Sequence, residues 1–233
     1  MDAQWEKAFR NFLNPDVRAA LSGLGNLHGK RGLVLASGLG CDSVHLARRG
    51  AMITGVDIAE QRTELARELV RRQAPDVKIR FVTADAEDIP FDDASFDFIF
   101  SRDVLMYGNW RKMLGECERV LVRGGRAVFM EALADHPAIR LYRRFGWDGA
   151  HRQFTRYLTY SDMRELASTF GKMDLEAFYF LSLASFYFLL RCRSEPAYRI
   201  SLGLLNPLDA VLFRLIPALQ KRAWRAVAVC EKA

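Results

Sequence analysis

The stretch that most constrains this chain is Leu33-Val34-Leu35-Ala36-Ser37-Gly38-Leu39-Gly40-Cys41-Asp42-Ser43. An acid, Asp57, follows nineteen residues after Gly38, at the end of Ala51-Met52-Ile53-Thr54-Gly55-Val56. The order reads as strand, glycine turn, helix, strand, acid. Gly38 and Gly40 allow a sharp turn and a close approach of backbone to ligand, and a carboxylate ending the next strand can accept hydrogen bonds from a ribose diol. The expected ligand is an adenosine-containing cofactor. A Gly-x-Gly pair also occurs in ordinary tight turns, so the acid and the strand context carry the inference.

After the glycine turn, Asp42 or Ser43 is expected to cap a helix through Ala47 that Gly50 ends, with His45 as a packed or surface residue inside it. Residues 60–73 place Leu65 with Leu69 and Ala66 with Val70 at i, i+4, the pattern of an amphipathic helix with a solvated arginine face. A strand at Lys78-Ile79-Arg80-Phe81-Val82 leads into the acidic loop Thr83 to Phe91. There Asp85 is placed to accept from an adenine amino group, and Glu87, Asp88, Asp92 and Asp93 read as solvated charges. Ser95-Phe96-Asp97-Phe98-Ile99-Phe100 has the near-continuous apolar composition of a strand buried on both faces. A helix over 111–122 stopped at Gly124-Gly125, and a strand at Arg126 to Met130, complete five strands. Such alternation forces parallel pairing through right-handed crossovers, with ligands at the carboxyl ends of the strands: a doubly wound α/β fold.

Composition bounds the setting. At 233 residues, half of them apolar, the chain can bury a sizeable core, and one α/β domain with additions is expected. The formal charge of +6 comes from 34 basic residues scattered among 28 acids, which argues against a nucleic-acid binder. Cys41, Cys117, Cys192 and Cys230 lie far apart without CxxC spacing, as reduced thiols of a cytoplasmic protein would. Met1 to Leu13 lacks the continuous apolar run of a signal peptide, and no segment reaches membrane-spanning length.

The blocks LVLASGLG, GVDIAE, ADAEDIPF, SFDFIFSRDVL and ERVLVRGGRAVFMEA, in this order over residues 30–132, resemble the class I S-adenosylmethionine-dependent methyltransferases of the small-molecule type. The resemblance implies a Rossmann-like seven-stranded sheet, mostly parallel with an antiparallel last strand and helices on both faces. It implies S-adenosyl-L-methionine as cofactor, with Gly38 and Gly40 near its methionine and ribose part and Asp57 on the ribose hydroxyls. Ile58 would pack on adenine, Asp85 and Ala86 would meet the adenine edge, and Ser101 would lie by the methionine moiety. Two departures stand out: the family usually carries an acid where this chain has Ala36, and a third glycine where it has Asp42. Met106-Tyr107 stands where related enzymes often place a histidine. A dehydrogenase also fits Gly38-x-Gly40-x-x-Ser43, but the later blocks are not needed to hold a pyrophosphate.

On this reading residues 1–29 form a helical flank or lid, and 30–233 form the methyltransferase domain, with 133–160 and 182–220 as substrate-side helical additions. Trp5, Ala8, Phe9, Phe12 and Leu13 sit at helical spacing, and Pro15-Asp16 restarts a helix through Leu21. Asp135-His136-Pro137 opens a helix, Ser161 is placed to cap another that Gly171 ends, and a sixth strand is expected to about Phe180. The apolar, aromatic run Leu175 to Leu190 is read as core and helix packing in preference to lipid contact. Residues 198–219 are read as a cap on a hydrophobic pocket or a dimer surface. Trp224 to Cys230 is read as the closing strand.

The implied chemistry is in-line displacement on a sulfonium methyl, in which the protein mainly supplies alignment. If the acceptor needs a base, the candidates are His136, His151 and Glu131. Met106, Tyr107, Tyr142 and Arg144 are the substrate-side candidates, with Arg143, Arg152 and Arg156 able to meet an anionic group; no metal is expected. The favoured function is methylation of a small-molecule acceptor with substantial apolar surface, in secondary metabolism, by a monomer or homodimer. A lipid- or quinone-directed enzyme at the membrane surface and a non-catalytic binder with a degenerate cofactor site are the alternatives.

Overall fold

The computed structural model describes residues 14–145 and 155–233. The expected helix before Leu13, and His151, Arg152 and Phe154, lie outside the described residues. The elements run α1 (Pro15–Leu24), β1 (Arg31–Leu35), α2 (Cys41–Ala47), β2 (Met52–Asp57), α3 (Glu60–Gln73), β3 (Ile79–Thr83) and β4 (Phe96–Arg102). They continue with α4 (Trp110–Val120), β5 (Leu121–Ala132), α5 (Pro137–Phe145), α6 (Tyr160–Phe170), β6 (Gly171–Phe178), α7 (Phe186–Leu190), α8 (Glu195–Leu215) and β7 (Arg225–Lys232). The seven strands form one sheet in the order β3-β2-β1-β4-β5-β7-β6. β1 to β5 pair in parallel, and β7 inserts antiparallel between β5 and β6. This is the doubly wound sheet with an antiparallel last strand that the sequence implied.

Strand alternation explains why both faces are covered. Leu33, Leu35, Ile99, Ala127 and Phe129 enter one core, beneath α4 and α6, with Trp110, Leu114, Leu166 and Phe170. Val34, Phe98, Phe100, Val128 and Met130 point the other way, toward Val17, Leu21 and Leu24 of α1. Successive side chains on a strand face opposite sides, so a strand covered on both faces carries a continuous apolar run, as β4 does from Phe98 to Phe100.

Several local expectations give way to tertiary packing. The first short helix starts at Cys41 with Gly40 as its N-cap, so neither Asp42 nor Ser43 caps it. Thr159, not Ser161, caps α6: its hydroxyl accepts from the Asp162 amide at 3.1 Å and Asp162 returns a bond to the Thr159 amide at 2.7 Å, a capping box. Leu121 is already extended, and β5 reaches Ala132 with a register shift between Phe96 and Phe98 on β4, where the expectation ran the helix over 111–122 and began the strand at Arg126. In α3 the Ala66 and Val70 pair is buried while Leu65 is exposed. β6 ends at Phe178 rather than Phe180.

Candidate active site

The carboxyl edge of the sheet gathers the glycine turn, Asp57, the loop after β3 and the end of β4. Leu35 is in register with Ser101, and Asp57 with Thr83, so the turns leaving β1, β2, β3 and β4 lie side by side. After β1 the backbone enters the left-handed region at Ala36 (φ 43°), Gly38 (φ 52°) and Gly40 (φ 82°). Gly40 is required twice over, because a Cβ there would also come within 2.9 Å of the Phe81 ring. Gly38 has nothing nearer than 3.9 Å to such a Cβ, so its turn borders open space.

Asp57 fastens this turn. Its Oδ2 accepts from the Gly38 amide at 2.9 Å and its Oδ1 from the Ala59 amide at 3.0 Å. The Ser37 amide donates to the Val56 carbonyl at 2.8 Å, tying the turn to β2. An ionised carboxylate offers about four acceptor positions, so two remain for a diol. Ile58, next in the chain, is 71% exposed and presents an apolar side chain beside that carboxylate. Asp85 uses Oδ1 to accept from the Glu87 amide at 2.8 Å, and Ala86 is half-buried beside it. Ser101 is fully buried, and its Oγ has no hydrogen-bond partner among the described residues. An acidic diol acceptor, an apolar platform, a second carboxylate and an orphaned hydroxyl on one edge suit an adenosine with a polar tail.

The departures from the family pattern have structural consequences. Ala36 adopts the left-handed conformation with a Cβ, a costly choice for an alanine. Asp42 is turned into the protein, with Oδ1 2.8 Å from Arg102 Nη2. Burial raises its carboxyl above the usual range, opposed by the Arg102 charge. His45 is pushed down to about 4 by burial and by Arg49, Arg102 and Arg48, so it is neutral near pH 7.

Among the base candidates, Glu131 is fully buried on β5. Its Oε1 accepts from the Val104 and Leu105 amides, at 3.0 Å each, and so caps the 3-10 turn Leu105–Tyr107. Burial first, then the Asp103 charge, push it up to about 8, so it holds a proton at neutral pH. His136 Nε2 lies 3.1 Å from the Phe180 carbonyl, and Nδ1 lies 3.5 Å from the Ile139 amide. Both ring nitrogens therefore meet backbone, with Nε2 carrying the proton, and burial lowers the ring's affinity for a second one.

The substrate-side candidates divide. Met106 is buried in the 3-10 turn, and its carbonyl accepts from the Arg156 amide at 2.8 Å. Tyr107 and Tyr142 are exposed, as is Arg144 on α5. Arg143 instead packs over the Tyr157 ring, 3.3 Å from its centroid, and donates to the Leu133 carbonyl at 2.9 Å. Glu87 and Asp93 are not merely solvated: Glu87 accepts from the Asn109 amide at 2.7 Å, and Asp93 meets Arg119 at 2.9 Å.

Sequence reasoning missed a buried ionic cluster at the same edge. Arg225, the first residue of β7, pairs with Asp16 of α1 and with Asp103 after β4, at 3.0 Å each. The Tyr179 hydroxyl donates to Asp16 at 2.6 Å. The only signals in the chain were an arginine opening the apolar run Ala226 to Cys230 and the charged pair Arg102-Asp103 following a buried strand. A cavity of about 360 Å³ sits here, with Asn14, Arg102, Asp103, Tyr179, Phe186 and Trp224 in its wall. A broader depression of about 810 Å³, by Arg31, Met52, Ile79 and Phe96, lies at the strands' amino ends, away from every turn described above. Among the described residues no group of three or more His, Cys, Asp or Glu is placed to hold a metal ion.

Comparison with known proteins agrees with this geometry. Residues 33–129 match the family model described as a methyltransferase domain. A demethylmenaquinone methyltransferase of Clavibacter sepedonicus is 43% identical over 121 residues, 52% of this chain and 47% of that protein. An O-methyltransferase of Penicillium expansum is 38% identical over 88 residues, 37% of this chain and 32% of that protein. The chain thus covers less than half the length of either relative. Geranyl diphosphate C-methyltransferase from Streptomyces coelicolor, solved with geranyl diphosphate and S-adenosyl-L-homocysteine, superposes with TM-score 0.65 at 14% identity, over 93% of this chain and 76% of that one. The [4+2]-cyclase SpnF superposes with TM-score 0.61 at 18% identity, over 92% and 80%, so the fold alone does not dictate the reaction. Residues 33–129 thus match a methyltransferase domain, and the sheet order, the glycine turn and the acid after β2 agree with the class I S-adenosylmethionine-dependent methyltransferase fold.

Proposed function

We propose that this protein transfers the methyl group of S-adenosylmethionine to a small-molecule acceptor with substantial apolar surface, in secondary metabolism. The observation that carries the reading is the Asp57 carboxylate, which fixes the Gly38 turn and keeps acceptor capacity for a ribose diol. In this assignment Gly38 and Gly40 border the ribose and methionine part, Ile58 and Ala86 flank adenine, Asp85 accepts from its amino group, and Ser101 Oγ meets the methionine end. The cofactor supplies an electrophilic methyl on a positive sulfur.

The chain's own work is to align the acceptor and keep water away. The acceptor's nucleophilic atom would take the methyl from the bound cofactor, which would leave as S-adenosylhomocysteine, while the acceptor's proton would pass to a base or to water. We assign acceptor contacts to Tyr107, Tyr142, Arg144 and the Met106 turn, and keep His151 as the base candidate, because Glu131 is buried and protonated and both His136 ring nitrogens meet backbone. Aromatic Trp224, Tyr179 and Phe186 beside Arg102 and Asp103 suit an acceptor with an apolar body and one polar group. Residues 1–29 serve as a flank, with 133–160 and 182–220 as acceptor-side additions. The tie from Asp16 to Arg225 and Tyr179 supports that division. Relatives named for menaquinone precursors and geranyl diphosphate favour quinone or isoprenoid acceptors within this class.

Calorimetric titration with S-adenosylmethionine and S-adenosylhomocysteine, followed by a screen of apolar hydroxyl, amine and carbon acceptors, tests the proposal. Saturable binding and methylated product are expected. Absence of binding at millimolar ligand would leave a non-catalytic protein.

A further inference from the structure

The longest helix is built inside out. In α8, Tyr198, Leu202, Asp209 and Phe213 face the protein, and Asp209, 2% exposed, accepts from the Phe180, Leu181 and Ser182 amides and from the Ser182 hydroxyl. The opposite face carries Ile200, Leu204, Leu208, Val211 and Leu215, between 51% and 72% exposed. Their spacing of four, four, three and four residues forms a single stripe, and the one charged residue between Ile200 and Val211, Asp209, is turned inward. At about 1.5 Å per residue the helix is about 32 Å long. Exposed Tyr187 and Leu190 of α7 extend the apolar surface at its start.

Charge says what covers this face. Exposed Arg191 and Arg193 stand before the helix, and exposed Arg214, Lys221 and Arg222 stand at and beyond its end. Glu195 at the helix start is half-buried and paired with Arg199 at 2.6 Å, while Asp174 and Glu176 line a groove with Asn206 on the inner flank. A symmetric pairing of two copies through the stripe would bring basic end against basic end whichever way the helices ran. An anionic bilayer accepts both parts, the apolar stripe at the acyl boundary and the cations at the headgroups. No helix among the described residues is long and apolar enough to cross a membrane.

We propose that the outward face of α8, with its basic ends, lies in the plane of an anionic membrane surface. The contact is independent of the assigned methyl transfer. Through Asp209 the helix is anchored to the loop leaving β6 at the carboxyl edge, so a docked protein holds that edge close to the bilayer.

The test is co-sedimentation of the full chain with phosphatidylcholine vesicles, with and without phosphatidylglycerol, at low and high salt. Binding is expected only with phosphatidylglycerol and should weaken with salt. Leu204→Glu with Leu208→Glu should abolish it, and Arg214→Glu with Lys221→Glu and Arg222→Glu should weaken it at least about tenfold. Leu204→Gln with Leu208→Gln serves as the uncharged version, and circular dichroism shows that each variant is folded. Equal wild-type binding to both vesicle types, or none to either, overturns the proposal. So does a wild-type dimer that Leu204→Glu dissociates, since a second copy would then own the face.

Discussion

Asp57 offers the sharpest test, because one side chain is asked both to hold a turn and to bind a ligand. In Asp57→Asn one carboxylate oxygen becomes an amide nitrogen, which cannot accept, so one of the bonds from Gly38 and Ala59 is lost. Hydrogen bonds to a charged partner contribute about 1.5–3 kcal/mol each. The expected cost to stability is therefore about 1.5–3 kcal/mol, a fall of roughly 3–12 °C in Tm for a chain of this size. The same substitution removes one of two acceptors for a ribose diol and should weaken S-adenosylhomocysteine binding roughly 10- to 150-fold. Asp57→Ala removes both and should weaken it further, by at least about a hundredfold. Calorimetric titration reads the affinity and scanning calorimetry reads the Tm. A folded Asp57→Asn variant that binds within about threefold of wild type would refute the ribose assignment, and an unchanged Tm would refute the turn assignment.

Removing Arg225 should be severe, because Asp16 and Asp103 would be left as poorly solvated charges: Arg225→Met is expected to lose about 3–5 kcal/mol in denaturant unfolding. Adding Asp16→Asn should recover part of that loss. Ala36→Gly relieves a left-handed alanine and should raise stability by about 0.5–1 kcal/mol, read as a higher urea midpoint at unchanged slope. Glu131 is protonated in the folded state up to about 8, against 4.5 when unfolded. Between those values the folded chain binds the extra proton, so stability from this group is complete below 4.5 and is lost as pH rises toward 8. Glu131→Gln keeps a carbonyl oxygen for Val104 and Leu105 and should flatten that decline in Tm; an unchanged pH profile would refute the assignment.

The order of strands and helices was legible because it is written in local terms. Continuous apolar runs such as Phe96 to Phe100, the Gly38 and Gly40 turn and the Gly171 stop act through neighbours in sequence. The cap at Thr159 was misread by two residues because both hydroxyls fit the pattern and only the path of the entering chain chooses between them. The base candidates were found as residue types, but whether Glu131 or His136 has a free lone pair depends on Val104, Leu105 and Phe180, which lie 26 to 44 residues away.

What the sequence by itself determined is the doubly wound sheet, the cofactor turn and the acid that follows it, since each rests on hydrophobic period and backbone freedom along a short stretch. Only the tertiary structure decided how the charges are spent and which apolar surface stays outside. Asp42 reaches Arg102, and Arg225 joins Asp16 to Asp103, across separations no periodicity encodes. Leu204 and Leu202 belong to the same apolar run, yet one faces solvent and the other the core. Composition cannot separate them, because the side that is buried is fixed by Asp209, whose carboxylate needs the backbone amides of the 180–182 loop and turns the whole helix to reach them.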